Sequence, residues 1–258
     1  MATAVFTPPH PFSLAGRAAF VAGAARGLGL AIAQGLAEAG ARVALCDVSE
    51  DVDAATESLR HAGHDVLACR ADVRDEAALA AAFRLAVDRF GAVDVMVNNA
   101  ARTPSASIWD VDRAEWDDVL AVNLRGTFFG CRIAALHMRG RGHGRIVNLA
   151  SIAGQLASAA AAPHYAASKA GIVALTRAFA TELAPHGVTV NAVAPSAIES
   201  PLLDQLPAER RARLAAATPL GRFGQPAEVA AAVVYLASDA AAYTTGATLD
   251  VNGGRLMR

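Results

Sequence analysis

Lysine is nearly missing from this chain of 258 residues: 22 of its 23 basic side chains are arginine, and the one lysine is Lys169. Cysteine is scarce as well. Cys46, Cys69 and Cys131 are odd in number, far apart and without any CxxC spacing, which excludes a disulfide framework and a cysteine-based metal site and fits reduced thiols in a cytoplasmic protein. Neither sign of charge is in excess. With 24 acidic residues against 23 basic and a net charge of -1, there is no electrostatic case for nucleic acid or for an anionic membrane surface. No apolar run approaches the roughly 20 residues of a membrane-crossing helix, because charges or glycines interrupt each one. Residues 1–13 carry Pro8, Pro9 and Pro11 but no basic-then-apolar signal pattern, so they are expected to be a loose arm ahead of one domain spanning residues 14–258.

What is present is a long, alanine-rich, 54% hydrophobic chain, enough for one large α/β domain with a substantial core. Short β-rich runs alternate with long amphipathic segments, the pattern of βαβ units around a parallel sheet. Strands are expected near Ala18–Ala22, Arg42–Asp47, Val66–Arg70, Val93–Asn98, Arg145–Leu149, Thr189–Ala194 and Thr248–Val251. Helices are expected near Leu28–Ala39, Val52–Ala62, Glu76–Phe90, Arg113–Met138, Tyr165–Leu183 and Ala227–Leu236. Right-handed crossovers place such helices on both faces of the sheet, a three-layer sandwich. The insertion Ser196–Gly224 follows no strand pattern, includes a short helix near Pro207–Arg211, and is expected to be a substrate lid.

The sole lysine stands four residues after Tyr165 in Tyr165-Ala-Ala-Ser-Lys169, a spacing that stacks both side chains on one helix face. A compact ammonium on a flexible stem does what a broad guanidinium fork does not. Held within about 4–6 Å of a phenol, it favours the phenolate and suits the tyrosine to proton exchange near neutral pH. A second signal is Gly23-Ala-Ala-Arg26-Gly27-Leu28-Gly29 between the first strand and the first helix. There, glycines permit a tight turn and bring backbone N–H groups to a pyrophosphate. Asp47 ends the second strand, where a carboxylate accepts from both adenosine ribose hydroxyls; as a bland alternative it caps the next helix, a task Ser49 or Asp51 also fits.

These motifs, with Asp72-Val73, Asn98-Asn99-Ala100-Ala101, Asn123, Ser151 and Pro195 in this order and spacing, resemble those of the short-chain dehydrogenase/reductase family over about Leu14–Gly254. The resemblance implies a Rossmann-type fold with a seven-stranded parallel sheet, a nicotinamide cofactor and a homotetramer or dimer. It implies that Tyr165 exchanges a proton with the substrate oxygen and that Ser151 hydrogen-bonds that oxygen. Lys169 would hold the nicotinamide ribose and bias Tyr165 toward phenolate, and Asn123 would order water for proton relay. Asp72 would meet the adenine, Asn99 and Ala100 would pass the adenosine ribose, and Pro195, Ala197, Ile198 and Ser200 would border the nicotinamide. Taken singly, Ser151 is equally a turn cap and Asn123 equally a helix-kink residue. Ala22, Ala101, Ser196 and Ser200 depart from the family's commonest pattern, which touches loop shape and not the proton-transfer set.

Asp47 repels a 2′-phosphate, so NAD is the expected cofactor; Arg26 in the glycine turn keeps NADP open. The substrate is expected to be a small secondary alcohol or ketone, with Ile152, Gln155, His164, Ser196, Leu202, Leu203 and Leu206 bordering its pocket. His164 is weighed as a second proton donor or a polar wall. The alternatives are a 3-oxoacyl-acyl-carrier-protein reductase, similar in Pro219–Glu228 and Gly253-Gly254 but lacking an arginine at Thr181, and a non-catalytic dinucleotide-binding protein.

Overall fold

The computed structural model describes residues 11–156, 161–200, 203 and 207–257. Its sheet has seven parallel strands: β1 Ala18–Ala22, β2 Arg42–Asp47, β3 Val66–Arg70, β4 Val95–Asn98, β5 Gly144–Leu149, β6 Val188–Pro195 and β7 Thr248–Val251. They lie in the order β3-β2-β1-β4-β5-β6-β7. Alternate strand residues feed two separate cores, as a period of two requires when both faces are covered. Ala19, Val21, Val43 and Leu45 pack under α1 Gly27–Glu38, α2 Asp51–His61 and the C-terminal α8 Pro226–Ala237. Ala18, Phe20, Ala44 and Met96 pack under α3 Glu76–Phe90, α5 Gly126–Met138 and α6 Pro163–Leu183. The expected three-layer Rossmann-type sandwich is therefore present.

The sheet order reverses between β1 and β4, which opens a crevice at the carboxyl ends of those strands. Below it the sheet is cross-braced by buried amides: Asn98 Nδ2 donates to Asn148 Oδ1 (2.8 Å), and Asn148 Nδ2 donates to Thr176 Oγ1 (3.0 Å).

The single helix expected over Arg113–Met138 is interrupted. It runs as α4 Arg113–Leu120, a π-turn Ala121–Arg125, then α5. From the start of α5, Thr127 Oγ1 donates back to the Asn123 carbonyl of that turn (2.7 Å), and such insertions are frequent at functional sites. The stretch Arg113–Arg141 has the length and mean hydropathy (1.3) of a membrane-crossing helix. Half of that apolar window is buried inside the protein, with Val119, Cys131, Ala134 and Met138 in its core.

Other differences lie at ends. α6 starts two residues early, with Pro163 in its first turn where a missing N–H costs nothing. Of the expected arm, Phe12 packs its ring 6.2 Å from Tyr235. The insertion closes on itself through the bridge Ile198↔Gly224 and carries α7 Ala208–Ala216, longer than expected. Arg211 clamps Glu199 bidentately (2.7 and 2.8 Å), tying α7 to the insertion's base. Leu202 and Leu206 lie outside the described residues.

Candidate active site

The crevice is a cavity of about 620 Å³ that reaches from the glycine turn to the first turns of α6. Its floor depends on missing side chains. A Cβ on Gly23 would stand 2.5 Å from the Ala100 Cα, and one on Gly29 would fall inside the Gly23 carbonyl oxygen. Asn99 Nδ2 donates to that same carbonyl (2.7 Å), joining the end of β4 to the turn after β1. The N-terminus of α1 has no side-chain cap, so its backbone N–H groups are left to an outside acceptor. Gly27, with φ +56°, opens the helix.

Asp47 Oδ2 accepts from the Ala25 N–H (3.0 Å) and Oδ1 from the Ser49 N–H (3.1 Å). It therefore braces the glycine turn rather than capping α2; Ser49 Oγ instead accepts from the Asp51 N–H (3.2 Å). A carboxylate with two lone pairs used still has two to offer. Arg26 is exposed at the cavity edge, and Val48, beside Asp47, is 65% exposed. Asp72 pairs with Arg74 (2.6 Å), which holds its carboxyl below the usual carboxylate range. Arg74 also reaches Asp118 (2.7 Å), and Asp118 pairs with Arg102. Asp72, Arg74 and Arg102 thus line the cavity edge, with Asp118 tying the two arginines together behind it, and Arg74, Asp118 and Arg102 carried no local sequence signal.

At the other end, Tyr165 and Ser151 both line the cavity, and Ser151 lies close enough to act on the Tyr165 phenol. Ser151 Oγ accepts from the Ala153 N–H (3.1 Å) as the cap of a short 3₁₀ turn, Ile152–Gly154, so the cap reading and the site reading of Ser151 are both realised. The Lys169 ammonium lies 5.6 Å from the Tyr165 ring centroid and donates to the Leu149 carbonyl at 2.6 Å. Burial lowers Lys169 to about 8. Burial also pushes the Tyr165 phenol up, with nearby Ser151 pulling it back. The expected bias toward phenolate is therefore opposed by desolvation in this pocket. Gly154 is a position the sequence did not flag: a Cβ there would meet the Ala170 nitrogen at 2.5 Å, so the turn after Ser151 lies directly on α6.

Asn123, fully buried in the π-turn, accepts from the Arg102 N–H (2.8 Å) and donates to the Arg102 carbonyl (3.0 Å) and to Ser168 Oγ (3.1 Å). It is a clamp beside the cavity and not one of its walls. Gly23, Arg26, Leu28, Gly29, Asp47, Asp72, Val73, Asn99 and Ala100 line the cavity, as do Ser151, Tyr165, Lys169, Pro195, Ser196 and Ile198. Gly27, Ala197 and Ser200 do not. Two expected pocket walls also turn elsewhere. Gln155 bonds Asp250 (2.7 Å), and His164 is buried against Glu115 (2.9 Å) and Trp116, its ring stacked on the indole at 6.3 Å. Neighbouring residues on a helix point about 100° apart, so adjacency to Tyr165 did not bring His164 into the cleft.

A glycine cradle at the switch point of a doubly wound sheet, with a carboxylate at the end of the next strand, defines the class of dinucleotide-binding folds. Comparison with known proteins places the chain more narrowly. The profile of a family described as "Enoyl-(Acyl carrier protein) reductase" matches residues 23–255. Cis-4-hydroxycyclohexanecarboxylate dehydrogenase of Sinomonas cyclohexanicum is 44% identical over 94% of this chain and 97% of that protein. The 3-oxoacyl-acyl-carrier-protein reductase FabG of Staphylococcus aureus (strain Mu50 / ATCC 700699) is 41% identical over 93% and 98%. The crystal structure of a gluconate 5-dehydrogenase from Burkholderia cenocepacia J2315 in complex with NADP and tartrate superposes with TM-score 0.90 at 35% identity, covering 95% of this chain and 97% of that one. The chain belongs to the short-chain dehydrogenase/reductase family, whose members bind nicotinamide dinucleotides.

Proposed function

We propose that this protein is an NAD(H)-dependent oxidoreductase that interconverts a secondary alcohol and a ketone on a small free substrate, with Tyr165 as the proton-transfer group. One observation carries the reading: Ser151, Tyr165 and the only lysine ammonium, 5.6 Å from the Tyr165 ring, all line the cavity that the glycine turn opens. The backbone of Gly23–Gly29 would hold the pyrophosphate, Asp47 the adenosine ribose, Asp72 and Val73 the adenine, and Lys169 the nicotinamide ribose. The bound nicotinamide supplies the hydride acceptor or donor. Ser151 Oγ orients the substrate oxygen toward the phenol. Tyr165 Oη takes the hydroxyl proton during oxidation and returns it during reduction. Lys169, a cation buried beside the ring, stabilises the phenolate form that oxidation needs. Asn123 holds the loop through Arg102 and supports the relay that refills the tyrosine proton.

NAD is favoured over NADP by Asp47 and by the apolar Val48 next to it. A carboxylate opposing a 2′-phosphate at about 4 Å costs roughly 4 kcal/mol at an effective dielectric near 20. Halved for solvent, that is about a 30-fold preference. Arg26 works in the opposite direction. The assembly proposed is a homotetramer.

The test is a coupled screen that follows NADH absorbance over cyclic hydroxy acids, polyols, simple ketones and a 3-oxoacyl thioester. Turnover of a free alcohol or ketone, faster with NAD(H) than with NADP(H), is the expected result. Turnover of the thioester alone would transfer the chain to the carrier-protein reductases; NADH binding without turnover on any substrate would leave only a dinucleotide-binding protein.

A further inference from the structure

Helix α6 presents two adjacent faces near its start. Tyr165 and Lys169 point into the cavity, while His164 and Ser168, also four apart, are fully buried toward α4 and the π-turn. Each of the second pair makes a hydrogen bond across that interface. His164 Nε2 bonds Glu115 Oε1 at 2.9 Å, and Ser168 Oγ accepts from Asn123 Nδ2 at 3.1 Å. Because a carboxylate only accepts, the shared proton is on His164 Nε2. Nδ1 is buried with no partner among the described residues, so Glu115 is the one hydrogen bond that holds this ring.

The Glu115 end is itself fixed. Its backbone N–H donates to the Asp112 carboxylate (2.8 Å), which caps α4. Its neighbour Trp116 lies nearly parallel to the imidazole, with 16° between the planes. Ser168 is tied back into its own helix by donating to the Tyr165 carbonyl (2.7 Å). The bonds at positions 164 and 168 therefore bracket Tyr165 along the helix, and together they fix rotation of α6 about its axis. That rotation sets where the Tyr165 hydroxyl points relative to Ser151.

We propose that His164, through Glu115, is a positioning residue for the Tyr165 proton transfer: the pair staples the first turn of α6 to α4 and aims the phenol at the substrate oxygen. This rests on the reading of Tyr165 given above. A displacement of about 1 Å at a reacting group costs up to about a hundred-fold in rate, so a loosened first turn lowers kcat while the glycine turn after β1 and Asp47 at the end of β2, which carry most of the cofactor contacts proposed, are untouched.

The experiment compares His164→Leu, Glu115→Leu, the double variant, Glu115→Gln and Tyr165→Phe in the full chain. Kd for NADH is read by fluorescence, and kcat and KM on the substrate identified by screening. Each leucine variant is expected to lose about ten-fold in kcat with NADH affinity unchanged, and the double variant to lose no more than the worse single, as for one shared interaction. Glu115→Gln, whose amide oxygen still accepts from Nε2, is expected to keep most of the rate. If His164→Leu fails to fold, Glu115→Leu at its half-buried position carries the comparison alone. Wild-type kcat in Glu115→Leu, or losses that multiply in the double variant, would overturn the staple. Full activity in Tyr165→Phe would instead overturn the underlying reading of the site.

Discussion

At the scale of single residues, the site is a set of opposed pKa shifts. Burial lowers Lys169 to about 8 and raises Tyr165, with nearby Ser151 acting in the opposite direction on the phenol. A phenol held high stays protonated through neutral pH and offers little phenolate there. Alcohol oxidation, which needs the phenolate, is therefore expected to accelerate by about ten-fold per pH unit below the tyrosine pKa. Ketone reduction, which needs the phenol, is expected to hold through neutrality and decline only in the alkaline range. A flat oxidation profile in kcat/KM would contradict this. Asp47→Ser removes the carboxylate that opposes a 2′-phosphate, and the ratio of kcat/KM for NADH over NADPH is expected to fall by about an order of magnitude; an unchanged ratio would move cofactor choice to Arg26. Much of this scale was legible in the sequence, because a lone lysine four residues after a tyrosine is a local pattern. The direction in which His164 and Gln155 turn was not, since it is decided by Glu115 and Asp250, 49 and 95 residues away.

At the scale of elements, the βαβ alternation was readable and its interruptions were not. A continuous helical pattern over Arg113–Met138 conceals the π-turn, because no proline marks a break within it and the residues on either side keep helical dihedral angles. Gly154 and the rim from Asp72 to Arg102 depend on elements meeting in space. The glycine turn was legible as a motif, and the structure adds why each position matters. In Gly29→Ala, the new methyl overlaps the Gly23 carbonyl and crowds Asn99 Nδ2. The α1 N-terminus must shift, so the expected outcome is loss of NADH binding together with a lower melting temperature. Gly63→Ala, at a glycine with open space around it but φ +91°, is expected to cost only a backbone penalty of about 1 kcal/mol and no NADH affinity. Calorimetry and NADH titration of both variants make the comparison, and equal NADH affinity in the two would contradict the cradle.

At the scale of the whole molecule, function is bought with stability. A lysine whose folded pKa is about 8 against an ordinary 10.5 disfavours folding at every pH below about 8, by about 3 kcal/mol. Between pH 8 and 10.5 the unfolded chain binds the extra proton, so stability from this group rises with pH across that window. Lys169→Met is expected to flatten that rise and to raise the melting temperature at pH 7, less the cost of the lost Leu149 hydrogen bond, while abolishing turnover. An unfolding series that shows the same alkaline slope with and without Lys169 would contradict the buried-cation account. The seven strands and the helices on both faces follow from patterns visible in the chain, whereas the strand order comes from the structure and the base of the insertion Ser196–Gly224 is held by the Arg211–Glu199 clamp and the bridge at Ile198. The most direct measurement is single-turnover NADH oxidation by Tyr165→Phe at a saturating ketone, with NADH affinity measured in parallel. The account predicts unchanged affinity and a rate reduced by at least about a hundred-fold; a rate near that of the unaltered enzyme would contradict it.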